Sequence, residues 1–414
     1  MSFARAMSLS LRLSLFYASL CLFGGVQLPF FPVWLESKGL SAQQISVIIA
    51  ATMFLRIVAG PVFAQIADHL GDRRRVVIAL NWASLTAVCL FLFVDTFWAI
   101  FAVTLLLMAL WPSISPLIET IALAAAREQG VDYGRVRLWC SVTFIVGSMG
   151  TGWLLGFSAP SIIAFCMIAA IAINLVGAYL LAPDMPRVNT GAKRPNPLKG
   201  MVDILRNPVF MLGITTASII QSSHAVYYAF GTLNWQAQGY DDTTIGMLWG
   251  VGIVAEIALF AFSGWVVTRV GSTRLLAIGA IACIIRWGLT AINPPLWLLF
   301  PLQALHALTY CAAHLGAMHF ITHATPRSLA ATAQSLYAAL SAGIIMGGMT
   351  LVSGVLYQSY GAHAYWLPAA AGALAILGCL ALSGRWTGGE LVSDGNEDDK
   401  DGDRSHSNGN GAGC

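Results

Sequence analysis

Four full charges stand inside long apolar runs of this 414-residue chain: Arg56, Glu119, Glu256 and Arg286. Arg137 opens another such run. A charge at mid-membrane costs about 2.5–3.5 kcal/mol on insertion scales, so four cost about 10 kcal/mol unless they pair or face water. They are expected to point at one another or into a wet cavity. A guanidinium holds a carboxylate through two parallel hydrogen bonds, and a sequestered carboxylate takes up and returns protons. His224 lies one turn before Tyr228, while His306 and His314 lie two turns and about 80° apart around a helix. An imidazole relays protons or hydrogen-bonds a ligand near neutral pH. Trp111, Trp139, Tyr227 and Tyr228 lie deep or near these charges, where an aromatic ligand would stack. The set suits holding a small ligand and moving a proton. A plainer reading stays open: two acids and two bases that lock a bundle by salt bridges, with histidines that only pack.

The elements that must position these residues follow from composition. Hydrophobic residues make up 57% of the chain and charged residues 10%, against about 25% charged in a soluble domain. Mean hydropathy is +0.73. A soluble enzyme, a disordered chain and a nucleic-acid binder are excluded. Apolar runs of twenty residues or more are too long for barrel strands of about ten. Twelve helical spans are predicted near 10–34, 41–66, 75–94, 97–125, 138–157, 161–183, 208–233, 243–266, 275–292, 296–322, 330–357 and 363–384. Arg5 and Arg12 precede the first span, which is too long for a signal core and is read as uncleaved.

With both termini inside, all of the 22 Lys and Arg except Lys38, Arg56 and Arg286 fall on the inner side, as the positive-inside bias requires. The net charge of +3 therefore reports orientation in a bacterial inner membrane, not a nucleic-acid partner. The polar stretch 184–207 is read as a cytoplasmic linker between bundles at 1–183 and 208–384, and 385–414 as a disordered cytoplasmic tail. Eight cysteines are scattered singly, with no metal spacing and no disulfide framework, and are read as packing residues. No metal, cofactor or phosphate-binding loop is expected. The partners expected are a small-molecule substrate, protons and the bilayer, and the chain is expected to be a monomer.

The halves align at an offset of 200 residues. Gly39 meets Gly239, Ile45 meets Ile245, Gly71 meets Gly271, Arg74 meets Arg274, and Arg56 meets Glu256. Parallel repeats of six helices belong to two-bundle transporters with a site at the midplane. Between spans two and three, Ala64 to Arg74 resembles the major facilitator signature G-x-x-x-D-[RK]-x-G-[RK]-[RK], with Asp68, Gly71 and Arg74 in its gating positions. Ala64 replaces its first glycine and His69 its usual base. Gly264 to Gly271 with Arg274 echoes it. The resemblance implies an all-α major facilitator fold of twelve transmembrane helices in two six-helix bundles, and a transporter, not an enzyme.

Within that superfamily the chain resembles the bacterial 3-phenylpropionate permease family. The resemblance is carried by Asp132 to Trp139, His224 to Tyr228, Val254 to Glu256 and Leu305 to Phe320. It implies proton-coupled uptake of an aromatic acid. Arg56, Glu119, Arg137, Trp139, His224 and Tyr228 are the expected substrate-binding residues, and Glu256, Arg286, His306 and His314 the expected proton-coupling residues. The chain is also similar, more distantly, to lactose permease. That family's sugar-binding glutamate and arginine fall on Glu119 and Arg137, and its span-nine arginine and following histidine on Arg286 and His306. Thr309 stands where that family carries its coupling glutamate, so Glu256 is the expected proton carrier here. The rivals are a sugar or nucleoside proton symporter, favoured by a cavity richer in amides and acids than in arginines, and, lower, a drug exporter.

Overall fold

The computed structural model describes residues 8–181 and 197–392. Arg5, linker residues 184–196 and tail residues 393–414 lie outside them. Every regular element among the described residues is a helix: α1 Leu9–Ser37, α2 Ala42–Leu70, α3 Arg73–Cys89, α4 Phe97–Leu110, α5 Ile114–Gln129, α6 Tyr133–Leu155, α7 Ile162–Leu180, α8 Pro197–Arg206, α9 Pro208–Ser222, α10 Ala225–Ala237, α11 Asp242–Ala261, α12 Ser263–Val270, α13 Ser272–Thr290, α14 Leu296–Ala304, α15 Ala313–Ala324, α16 Ala330–Ala338, α17 Met346–Tyr360 and α18 Trp366–Ser383. A 3₁₀ turn at Trp111–Ser113 joins α4 to α5, and π-helical turns at Ala307–Ala312 and Ala339–Ile345 join α14 to α15 and α16 to α17.

Eleven stretches are long and apolar enough to cross a membrane, and the last, Ala330–Ser383, runs 54 residues. At 1.5 Å per residue that is about 81 Å, more than twice a hydrocarbon core of about 30 Å. The chain turns within it at Gly361, whose φ is +55°, so the stretch has the length of two crossings.

Local chemistry repeats with the sequence. Ser41 caps α2 in a reciprocal capping box with Gln44, and Asp241, at the same repeat position, caps α11 by accepting from Thr244 N at 2.9 Å. Each cap satisfies a helix N–H that would otherwise lack an acceptor. Gly39 and Gly239 both take positive φ, +78° and +84°.

In the first half α1 packs against α6 and α7, and α3 against α7. In the second, α13 packs against α18 and α15, and α9 against α18. The halves meet where α6 lies on α11, α2 on α17 and α1 on α10. These meetings are tight at one end of the bundle. Ser148 Oγ donates to Gly246 O at 3.4 Å, and Gln43 N donates to Gln358 Oε1 at 3.2 Å. A Cβ built on Gly152 would stand 2.2 Å from Asp242 O, and one on Gly354 would stand 1.9 Å from Ser46 Oγ. Only glycine allows the chains to approach so closely there.

The second part of the stretch 184–207 holds α8, which buries Ile204. Two expectations change. The start of the tail, 385–392, is tied down: Trp386 packs edge-on against Phe320 at 4.8 Å, Leu391 N donates to Ala324 O at 2.8 Å, and Asn207 Nδ2 donates to Leu391 O at 2.6 Å. Cys21 and Cys140, read as packing residues, form a disulfide between α1 and α6 with Cα atoms 4.9 Å apart.

Candidate functional site

A cavity of about 1110 Å³ lies between the halves. Its wall reaches Ala331, Gln334 and Ser335 on the first turns of α16. It therefore opens toward the end of the molecule that carries Gly71 and Gly271, opposite the tight glycine contacts. Arg56 on α2 lines it and is exposed to it. Among the described residues Arg56 has no acid within ion-pair distance. A bare guanidinium in a cavity wall is an open carboxylate site. Tyr228 and His314 also line the cavity.

A smaller chamber of about 160 Å³ adjoins it and shares Leu28, Phe144, Tyr228 and Tyr310 with it. Tyr227, Trp249, Glu256 and His306 complete most of its wall. The Tyr227 and Trp249 rings stack at 4.2 Å, and the Trp249 indole N–H is satisfied by Thr232 Oγ1 at 3.0 Å.

Behind this chamber lies Arg286 on α13, fully buried. Its Nη1 donates to Thr309 Oγ1 at 2.9 Å and to His306 Nδ1 at 3.1 Å, with His224 Nε2 at 3.4 Å, and its Nη2 donates to Gln303 Oε1 at 2.8 Å. The guanidinium also lies 4.2 Å from the Trp287 ring centre and 4.9 Å from that of Tyr227, contacts that favour a cation over a π face. The bond pattern fixes the tautomers. Arginine only donates, so His306 Nδ1 accepts and its proton sits on Nε2, which faces Glu256 Oε2 at 3.5 Å. His224 has the opposite arrangement: its Nδ1 donates to Gln221 O at 2.9 Å, and its Nε2 accepts from Thr309 at 3.1 Å. Glu256 is thus linked to Arg286 through a neutral ring.

The plainer reading, four charges locked to one another by salt bridges, is not what forms among the described residues: Glu119 pairs with Arg137, Oε1 to Nε at 3.4 Å, and accepts from the Tyr133 hydroxyl at 2.5 Å. Arg137 also lies over the Tyr17 ring at 5.7 Å. Neither Glu119 nor Arg137 lines either chamber. Trp139 is half-exposed and lines neither, and of the four aromatics expected to stack on a ligand only Tyr227 and Tyr228 lie in the chamber walls. At the signature loop Asp68 pairs with Arg73 at 2.7 Å, Gly71 ends α2 with φ +66°, and Arg74 donates to Leu181 O at 2.8 Å and Tyr179 O at 3.0 Å. Arg74 thus caps the end of α7.

Sequence reading missed Gln303, Trp287, Tyr310, Phe144 and the amides Gln27, Gln221 and Gln334 in the cavity wall. Gln221 and Gln303 carried a usable signal, as amides inside apolar spans.

A family model described as the MFS_1 like family matches residues 6–367. A protein of Escherichia coli (strain K12) named "Probable 3-phenylpropionic acid transporter" is 31% identical over 83% of this chain and 90% of its own length. The maltose permease of Geobacillus stearothermophilus is 26% identical over 85% of this chain and 89% of its own. The crystal structure of the nucleoside transporter NupG superposes with a TM-score of 0.79 at 17% identity, over 92% of this chain and 100% of that one.

Proposed function

The chain belongs to the MFS_1 like family of major facilitator transporters, and from that premise we propose that it imports a small aromatic carboxylate, such as 3-phenylpropionate, with protons across the bacterial inner membrane. It is a multi-pass membrane protein and a secondary transporter. The observation that carries the finer reading is a division of labour across the cavity. Arg56, in the first half, is bare. At the matching repeat position in the second half, Glu256 faces a histidine already committed to Arg286.

The substrate carboxylate docks on Arg56, and its ring lies toward Tyr228 and the small chamber. Glu256 carries the proton. With Glu256 charged, the His306 N–H donates to it; with Glu256 neutral, the carboxylic acid is free to turn toward the cavity. Arg286, His224 and Thr309 hold His306 in the tautomer that this exchange needs. The open end carries Arg73, Arg74, Arg75, Arg127, Arg269, Arg274 and Arg327 and faces the cytoplasm by the positive-inside bias. Bundles 1–183 and 208–384 rock about the site through the linker 184–207, and the protein works as a monomer.

The test is uptake of labelled 3-phenylpropionate by proteoliposomes under an acid-outside gradient. Gradient-dependent accumulation supports the reading. No accumulation, with uptake of a sugar or nucleoside instead, rejects it. One observation favours that second reading: the main cavity wall holds three amides, Gln27, Gln221 and Gln334, and Arg56 as its one arginine. Against it, Glu119 and Arg137, the pair a lactose-like site would use, line neither chamber.

A further inference from the structure

We infer that the small chamber is a specificity subsite for a single aromatic ring bearing a neutral hydrogen-bond donor, which Glu256 and the tyrosine hydroxyls read. This rests on the proposed function and narrows its substrate class to hydroxylated aryl acids.

Size sets the first limit. The chamber holds about 160 Å³, and an apolar cavity of about 150 Å³ takes up one benzene. One six-membered ring fits; a fused pair does not. The walls suit a ring, since Tyr227 stacks on Trp249 at 4.2 Å and Tyr228 lies at 6.3 Å from Trp249 with its plane inclined by 19°. Phe144 closes the chamber from the other half. Leu28, Phe144, Tyr228 and Tyr310 belong to both chambers, so a ligand can seat its ring in the small one and its side chain in the large one.

Polarity sets the second limit. Glu256 and His306 line this space among aromatic and aliphatic side chains. Among the described residues the hydroxyls of Tyr228 and Tyr310 have no protein hydrogen-bond partner. A plain phenyl ring would displace water from these groups and return nothing, at about 1–3 kcal/mol for each group left unsatisfied. A ring hydroxyl restores the bonds. Sites built to hydrogen-bond a hydroxyl discriminate strongly against the analogue lacking it. An organic cation would also suit an aromatic box beside a carboxylate. Charge argues against it: Arg286 touches Tyr227 and His306, so a fixed buried cation already stands behind the wall that the acid shares.

The test is direct binding to the purified full-length protein, followed by intrinsic tryptophan fluorescence and calorimetry. Its ligands are 3-phenylpropionate, its 3- and 4-hydroxyphenyl analogues, 3-(2-naphthyl)propionate and phenethylamine. We expect at least one hydroxyphenyl acid to bind tenfold or more tighter than 3-phenylpropionate, and the naphthyl acid tenfold or more weaker. In Tyr228→Phe/Tyr310→Phe the hydroxyl preference should shrink to below threefold. If that variant does not fold, the wild-type ratios alone decide. Equal binding of the plain and hydroxylated acids, undiminished naphthyl binding, or tighter binding of phenethylamine overturns the subsite. Binding of 3-phenylpropionate without hydroxyl preference leaves the proposed function standing, whereas binding of a sugar and of no aromatic acid removes both.

Discussion

Nε2 of His306 lies 3.5 Å from Oε2 of Glu256. The other nitrogen of the same ring accepts a hydrogen bond from a buried arginine, Nη1 of Arg286 at 3.1 Å. A histidine whose Nδ1 accepts from a permanent donor must present Nε2–H on its far side. The carboxylate therefore faces an imidazole N–H and has no direct salt bridge to the arginine behind it. Protonating Glu256 therefore breaks no ion pair with an arginine. That low cost suits a group that must gain and lose a proton on every cycle.

Glu256→Gln should separate coupling from translocation. Glutamine keeps the shape and can accept from His306, but it carries no proton. Uphill accumulation of 3-phenylpropionate under an acid-outside gradient should fall to the background of empty liposomes. Exchange of internal for external substrate should persist within a few-fold of wild type. Both are read by the same proteoliposome assay with and without the gradient, and unchanged uphill uptake would reject the proton role.

Thr309→Val tests the support behind the histidines. Thr309 Oγ1 accepts from Arg286 at 2.9 Å and donates to His224 Nε2 at 3.1 Å, and all three residues are buried. Valine matches the shape and removes both bonds, leaving His224 Nε2 with Arg286 at 3.4 Å alone. The expected cost is about 1–3 kcal/mol, seen as a lower midpoint of thermal unfolding in detergent. Serine, which keeps the hydroxyl, should recover most of it.

How much of this was legible follows from what the sequence makes rare. Charges and histidines in apolar runs are conspicuous, so Arg56, Glu256, Arg286 and His306 stood out. The repeat was legible too: Gly39 and Gly239, matched at an offset of 200, both take positive φ. The bonds between the conspicuous residues were not. Gln303 and Thr309 complete the Arg286 shell, yet threonines on membrane helices are too common to single out, and an amide in an apolar span, though rarer, does not name its partner. The π-helical turn Ala307–Ala312 changes the angular spacing after His306, which a regular 3.6-residue count does not anticipate. His306 accordingly meets Glu256 in the small chamber, while His314 lines the large one. Cys21 and Cys140, 119 residues apart, show no spacing signal. Trp139 fails for a different reason: sequence depth says nothing about which way a ring points, and this one is half-exposed.

Arg56→Gln should weaken carboxylate binding specifically. A charge-assisted hydrogen bond contributes about 1.5–3 kcal/mol, equivalent to a rise of about ten- to a hundred-fold in the half-saturation concentration for 3-phenylpropionate. The amide analogue of the substrate has no charge to lose and should respond less than threefold. Equal losses for acid and amide would mean that Arg56 shapes the cavity without reading charge.

Gly152→Val should destabilise the tight end and expose the cavity from that side. Even an alanine Cβ at 152 would fall 2.2 Å from Asp242 O on the other half, and backbone cannot give way as a flexible side chain can. The clash exists only where α6 lies against α11, so it raises the energy of the present arrangement and leaves the alternative, with that end apart, untouched. Gly354 on α17 faces the short Ser46 side chain, whose Cβ as well as Oγ stands in the way, and Gly354→Val should act in the same direction. A single cysteine at Gln27, in the cavity wall, placed in a background cleared of the other free thiols, reports the change. An impermeant thiol reagent applied from the tight end should label it at least fivefold faster in either glycine variant than in the parent. Net transport should fall in both, because a carrier held on one side cannot complete its cycle. Equal labelling rates would show that the glycine contacts do not hold that end shut.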